Sequence, residues 1–190
     1  MFAICNLSNI PLRIEPNDRS EIVSQVLFGE HFCIIETDRQ WSKIRLHYDN
    51  YEGWIDSKQY QQITEDQYNR LSNLPIELNS DLVEYISTTT NSLLPITLGA
   101  SVTFLNDFEI NTIGFIFEGL KISGQHPKSN LVQTAYMYLN APYLWGGRTP
   151  FGIDCSGFTQ MVYKLNGYKL ERDAAQQATQ GEVLSFIEES

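Results

Sequence analysis

The chain has 190 residues, with 23 acidic and 13 basic side chains and a formal net charge of −10. That balance opposes binding to nucleic acid or to an anionic membrane surface. No run approaches the ~18 apolar residues of a membrane span, and Met1–Leu7 lacks the basic and apolar regions of a secretory signal. A cytoplasmic location is therefore expected, or a periplasmic or extracellular one if an upstream signal has been removed. The three cysteines, Cys5, Cys33 and Cys155, are too sparse for a disulfide scaffold and suit a reducing compartment. Cys5 and Cys33 are expected to be buried thiols, with a Cys5–Cys33 disulfide as the minor alternative. No cluster of His, Cys or Glu has ligand spacing, so no metal is expected, and no cofactor. Gly146-Gly147 does not fit a phosphate loop.

Residues 1–62 alternate short β-rich runs with turn signals. Strands are predicted at Ala3–Leu7, Pro11–Glu15, Glu30–Ile35, Trp41–His47 and Gly53–Ile55, with turns at Pro16-Asn17-Asp18, Gly29 and Asp49-Asn50. Such spacing predicts a small barrel. Leu27-Phe28-Gly29-Glu30, Trp41 and Tyr51-Glu52-Gly53-Trp54-Ile55 resemble a bacterial SH3-like domain. Packing in the barrel is the simplest role for Trp41 and Trp54.

Residues 63–79 read as a helical linker. Thr64 and Gln67 have the spacing of a capping box, and Tyr68, Leu71 and Leu74 give the helix an apolar side. Residues 80–125 turn strand-rich again, at Leu82–Ile86, Ser101–Leu105 and Ile113–Phe117. Thr97-Leu98-Gly99-Ala100 echoes Leu27-Phe28-Gly29-Glu30, and Phe117-Glu118-Gly119 echoes Tyr51-Glu52-Gly53. The echo predicts a second, degenerate SH3-like barrel. A β-rich spacer belonging to the following domain is the alternative.

Ser123–Asn130 is polar and rich in breakers, which puts a domain boundary near residue 126. A helix capped by Ser129 or Asn130 follows, with an apolar stripe of Leu131, Val132, Ala135, Tyr136 and Leu139, and Pro142 ends it. Gly146, Gly147, Pro150 and Gly152 then mark a loop. Phe158, Met161, Val162 and Leu165 resume helical spacing, with Gly167 as the stop. Asp154 is a good N-cap, which places Cys155 in the first turn. Unpaired N–H groups and the helix dipole favour a thiolate there. A free cysteine is otherwise most often a small buried apolar residue. A glycine-rich lead-in, an aromatic at Trp145 and the helix-starting Asp-Cys-Ser-Gly are poor material for a core filler. Gly157, inside the helix, suggests a close backbone approach. The last apolar run is Val183–Ile187.

Tyr143-Leu-Trp-Gly-Gly-Arg-Thr-Pro-Phe-Gly-Ile-Asp-Cys-Ser-Gly-Phe158 resembles the nucleophile motif of the NlpC-type cysteine peptidases, papain-like enzymes that cut bacterial cell-wall peptides. Leu170–Gln177 resembles the segment that follows their first catalytic helix. The resemblance implies an α+β chain: SH3-like barrel or barrels, then the helical N-terminal half of a papain-like domain over 126–190. It implies Cys155 as nucleophile and Trp145 and Tyr143 in the cleft. Asp154 and Ser156 would hold the free amine of an N-terminal L-Ala, although Asp154 as a simple cap is an equal alternative. Glu52, Tyr51 or Tyr48 of the barrel would reach in. Arg148 and Arg172 could meet substrate carboxylates, with salt bridging inside the domain as the other role. The implied partners are murein stem peptides, cleaved between γ-D-Glu and the diamino acid.

One element of the resemblance has no counterpart. Papain-like enzymes take their base from a sheet that follows the cysteine helix, whereas His31, His47 and His126 all precede Cys155. The resemblance thus implies a catalytic domain C-terminally incomplete as the sequence stands. The helices at 131–139 and 158–165 would then be left partly uncovered. Two other accounts stay open. One is a peptide-binding protein with tandem SH3-like modules and a peptidase remnant. The other is a protein whose missing sheet comes from a partner chain.

Overall fold

A computed structural model describes residues 1–105, 109, 110 and 112–182. The run Val183–Ile187 lies outside the described residues. Seven strands make the first sheet: Phe2–Ile4 (β1), Asn9–Arg13 (β2), Ile22–Leu27 (β3), His31–Asp38 (β4), Trp41–Leu46 (β5), Glu52–Asp56 (β6) and Gln61–Ile63 (β7). Their order is β3-β2-β6-β5-β4-β1-β7. Alternation explains the inward set. Ile10 and Leu12 of β2 and Ile44 and Leu46 of β5 are buried while their neighbours face outward. With Ala3, Cys5, Val26, Phe32, Ile34 and Ile55 they form one core. A register shift between Ile34 and Glu36 marks a bulge against β5. Trp41 is buried and Trp54 half-buried. All three cysteines are free, so Cys5 and Cys33 are not bridged. Cys5 is buried as expected, but Cys33 is only half-buried.

Helix α1, Glu65–Asn73, carries the capping box between Thr64 and Gln67. Leu71 is its buried residue, and Tyr68 stacks on Phe2 with ring centroids 4.3 Å apart. The next module holds Glu77–Asn79 (β8), Val83–Thr88 (β9), Leu93–Thr97 (β10), Phe115–Phe117 (β11) and Lys121–Ser123 (β12). They form two small sheets, β10-β9-β11 and β12-β8. Ser101–Leu105 is not a strand. Ser101 makes an isolated bridge to Leu78, and Thr103–Leu105 are turn. Val102, Phe104 and Leu105 instead fill a second core with Ile86, Ile96 and Phe28. β10 was hidden in the sequence by Pro95, which is tolerated because β10 lies at a sheet edge.

The two echoed glycines adopt the same turn. Gly29 and Gly99 have φ of 75° and 80°. Gly29 donates its N–H to Cys5 O and Gly99 donates to Asn79 O, at 2.8 and 2.9 Å. The turns also pack on each other, since Ser101 N–H donates to Phe28 O at 2.8 Å. A side chain at Gly29 would strike the Ser101 carbonyl.

The last part contains Asn130–Tyr136 (α2), Arg148–Thr149 (β13), Gly152–Ile153 (β14), Cys155–Leu165 (α3) and Ala174–Gln177 (α4). Ser129 occupies the N-cap of α2 without a side-chain hydrogen bond. The two expected uncovered faces behave differently. Met161, Val162 and Leu165 of α3 are buried against Leu27 of the barrel, Leu78 and Leu98 of the second module, and Tyr138. So the barrel and its neighbour cover this face of α3. Val132, Tyr136 and Leu139 remain exposed. No helix among the described residues is long and apolar enough to cross a membrane.

Candidate active site

The nucleophile candidate stands at the junction of a two-strand hairpin and α3. β13 and β14 pair Arg148 with Ile153 and Thr149 with Gly152. The chain then enters α3 through Asp154, whose Oδ1 accepts the Gly157 N–H at 2.6 Å. Gly157 has no side chain because the Gly147 carbonyl lies where its Cβ would be. The close approach that the sequence suggested is thus the hairpin pressed onto the first turn of α3. Cys155 is the first residue of that turn and is exposed.

Asp154 is a hub. Its two oxygens also accept the Gly146 N–H at 2.8 Å, the Ser156 hydroxyl at 3.3 Å, and Arg172 Nη1 and Nη2 at 3.1 and 2.7 Å. A carboxylate has about four lone-pair sites, so this one is saturated. Burial would raise its pKa, but Arg172 and the two backbone N–H groups outweigh burial and hold it below the ordinary carboxylate range. Arg172 is itself buried and donates further to Ser24 Oγ at 3.0 Å and Ser156 Oγ at 2.9 Å. Gln177 Nε2 secures the Ser156 carbonyl at 2.9 Å. Asp154 and Ser156 line the groove at Cys155 and also anchor the start of α3 on Arg172.

Cys155 opens into a groove of about 350 Å³. Trp145 forms one wall; its indole N–H donates to Glu21 Oε1 of the barrel at 2.6 Å. Tyr51, also from the barrel, forms the other wall, and its hydroxyl donates to Asp173 Oδ1 at 3.0 Å. Burial and the Asp173 carboxylate both raise the Tyr51 pKa. The structure therefore brings together Cys155, Asp154, Ser156, Trp145 and Tyr51. Glu21 and Asp173, which face the same groove, were missed. Nothing local marks them, since Glu21 meets Trp145 across 124 residues of chain.

Other candidates lie elsewhere. Glu52 follows Tyr51 and so takes the opposite face of the sheet, where it pairs with Arg45 and Lys43 at 2.6 and 3.6 Å. Tyr143 is exposed and outside the groove, and Tyr48 donates its hydroxyl to Tyr168 O at 3.3 Å, away from the groove. Arg148 is fully buried and forks onto Glu30, at 2.9 Å for both contacts. Lys164 Nζ joins the same carboxylate at 2.6 Å. Burial opposes the charge on Glu30, yet the two cations hold its carboxyl well below the usual range. None of the three histidines lines the groove. His47 borders residues at the other end of α3, stacked on His31 with centroids 4.5 Å apart. His126 N–H donates to Asn166 O, just past that end.

Comparison with known proteins gives two family matches in separate parts of the chain. Residues 12–59 match the family described as bacterial dipeptidyl-peptidase SH3 domain, and residues 140–189 match the NlpC/P60 family. A protein named dipeptidyl-peptidase 6 from Lysinibacillus sphaericus is 29% identical over 191 residues, covering 86% of this chain and 69% of its own. A protein named gamma-D-glutamyl-L-lysine dipeptidyl-peptidase from Bacillus subtilis (strain 168) is 29% identical over 177 residues, covering 84% of this chain and 58% of its own. The chain thus spans little more than half the length of that second relative. In three dimensions it is similar to the crystal structure of an NlpC/P60 family protein from Bacillus cereus ATCC 10987. The TM-score is 0.81 at 18% identity, covering 97% of this chain and 79% of the other. The chain therefore joins a segment that matches the bacterial dipeptidyl-peptidase SH3 domain, over residues 12–59, to one that matches the NlpC/P60 family, over residues 140–189.

Proposed function

We propose that this chain carries the nucleophile and the amine-reading walls of a cysteine peptidase that hydrolyses the γ-D-glutamyl–diamino acid bond of murein stem peptides. The observation that carries the reading is the exposed Cys155 at a helix start, in a groove closed by the barrel through Glu21 and Tyr51. The names of the relatives support the substrate class.

In this reading the Cys155 sulfur attacks the carbonyl carbon of the γ-glutamyl bond and a C–S bond forms. The carbonyl oxygen takes the negative charge. The N–H groups of Cys155 and Ser156 have no intrahelical partner at this position, and they are the donors available to it. The C–N bond then breaks, and the diamino acid leaves as an amine after gaining a proton. Water hydrolyses the thioester and releases L-Ala-D-Glu. The proton transfers need a base and acid beside the sulfur. No histidine borders the groove, so the reading requires a histidine from outside the described residues.

The free amine of L-Ala falls to Glu21 and Asp173 rather than to the saturated Asp154. An ammonium group in this groove meets two carboxylates whose side-chain partners there are neutral, Trp145 for Glu21 and Tyr51 for Asp173. That arrangement selects short peptides with a free N-terminus over intact wall.

The second reading is a peptide-binding protein without turnover, in which the same groove walls hold the peptide. The two separate on L-Ala-γ-D-Glu-L-Lys incubated with the protein isolated from its own cell. Release of L-Lys that vanishes in Cys155→Ala supports the peptidase. Saturable binding of the tripeptide with no release supports the binding protein. Glu21→Gln should raise KM about tenfold for the free-amine peptide, the loss of one charged hydrogen bond. An unchanged KM would remove Glu21 from the site.

A further inference from the structure

A second and larger cavity lies near the C-terminal end of α3, about 15 Å along the helix from Cys155. Its volume is about 650 Å³, within the ~300–1,000 Å³ of small-molecule sites. It opens where the barrel, the linker and the second module meet. Pro75, Ile76, Leu78 and Ile122 give it apolar walls, and His47 and Lys169 stand at its edge. A smaller cavity of about 160 Å³ continues it and shares His47, Ile76, Leu78 and Lys164.

The charge around this space is opposite to that of the chain. The protein carries a net charge of −10, yet no Asp or Glu lines the larger cavity. Glu30 reaches the smaller one, but Arg148 and Lys164 already occupy its carboxylate. Lys169 is exposed and forms no ion pair among the described residues. His47 is held from behind: Nδ1 lies 3.4 Å from Ser72 Oγ and 3.5 Å from the Tyr68 hydroxyl. The Ser72 hydroxyl donates to the Tyr68 carbonyl at 2.9 Å, so the donor available to Nδ1 is the Tyr68 hydroxyl, and in the tautomer that accepts from it Nε2 carries the hydrogen. Nε2 has no hydrogen-bond partner among the described residues. Burial and the nearby Lys169 keep the ring below its ordinary pKa, so at neutral pH it offers an N–H donor rather than a full charge. Nothing in the proposed peptidase chemistry uses these groups.

We propose that this cavity is a binding site for a small organic anion with an apolar body, of the medium-chain carboxylate class. The carboxylate is held by Lys169 and His47 Nε2–H, and the tail lies along Ile76, Leu78 and Ile122. A charge-assisted head contact and an apolar slot together favour such an amphipathic anion over a bare ion or a neutral hydrocarbon. The site stands independently of the peptidase reading.

Isothermal titration of decanoate into the whole chain tests this, with decanol as the uncharged probe. Saturable 1:1 binding of decanoate is expected, about tenfold weaker in Lys169→Glu and for decanol. Ile76→Trp, which fills the slot, should abolish it. Ile122→Trp fills the slot from the opposite wall, so one filler remains if the other fails to fold. Val132→Glu, on the exposed face of α2, should leave binding unchanged. The proposal is overturned if decanoate shows no saturable binding at millimolar concentration, or if decanol binds equally well. It is also overturned if Val132→Glu weakens binding while a folded filler variant does not.

Discussion

Arg172 forks onto Asp154 with Nη2 2.7 Å from Oδ2 and Nη1 3.1 Å from Oδ1, and both side chains are buried. The pair fastens the residue before Cys155 to the segment that follows α3. Arg172→Ala would leave a buried carboxylate with no cation. The cost should be about 3–5 kcal/mol of unfolding free energy, measured by urea denaturation. The folded Asp154 pKa lies below its unfolded value, so its contribution is complete above about pH 4 and fades as pH falls further. Arg172→Ala should flatten that acid limb.

The Glu30 site makes a different claim. One carboxylate from the barrel holds Arg148 of the hairpin and Lys164 of α3 in a buried triad. Glu30→Gln leaves two buried cations and should cost about 3–5 kcal/mol. A combined Glu30→Leu, Arg148→Met, Lys164→Leu chain removes all three charges. It should recover most of that loss, and equal melting temperatures for the single and triple variants would oppose the account.

His31 gives a pH signature near neutrality. Burial first, then the stacked His47, lower its pKa to about 3. A histidine depressed in the folded state stabilises fully above its unfolded value of about 6.5 and progressively less as pH falls below it. Stability should drop by about 2 kcal/mol between pH 7.5 and pH 5 from this group. His31→Phe should remove that slope in thermal melts.

Gly157→Ala tests the contact between hairpin and helix. Alanine is the better helix former by about 1 kcal/mol. Here its Cβ would meet the Gly147 carbonyl and the Asp154 carboxylate. The substitution should therefore destabilise the chain, read as a lower urea midpoint, whereas a gain would mean that the hairpin yields freely.

Where contacts are local, the sequence revealed them. Asp154 as N-cap, Cys155 at the helix start, the Gly157 approach and the Thr64–Gln67 box all depend on neighbours within a few residues. Distance in sequence hid the rest. Glu30 and Arg148 are 118 residues apart, and no spacing rule connects them. β3 was overlooked because Ser24 and Gln25 interrupt its apolar run, although Ser24 is buried under Arg172. Glu21 was not considered, and Glu52 was singled out because it opens the Glu-Gly-Trp run. Strand alternation then sends it to the other face.

The most direct test of the central claim is covalent trapping. A methyl-ketone affinity label built on free-amine L-Ala-γ-D-Glu would be offered to the folded chain, beside its N-acetylated form, and the adduct located by peptide mass spectrometry. The account predicts a single adduct on Cys155, formed much faster with the free amine than with the acetylated label. Equal rates for the two labels, or an adduct divided between Cys155 and Cys33, would contradict it.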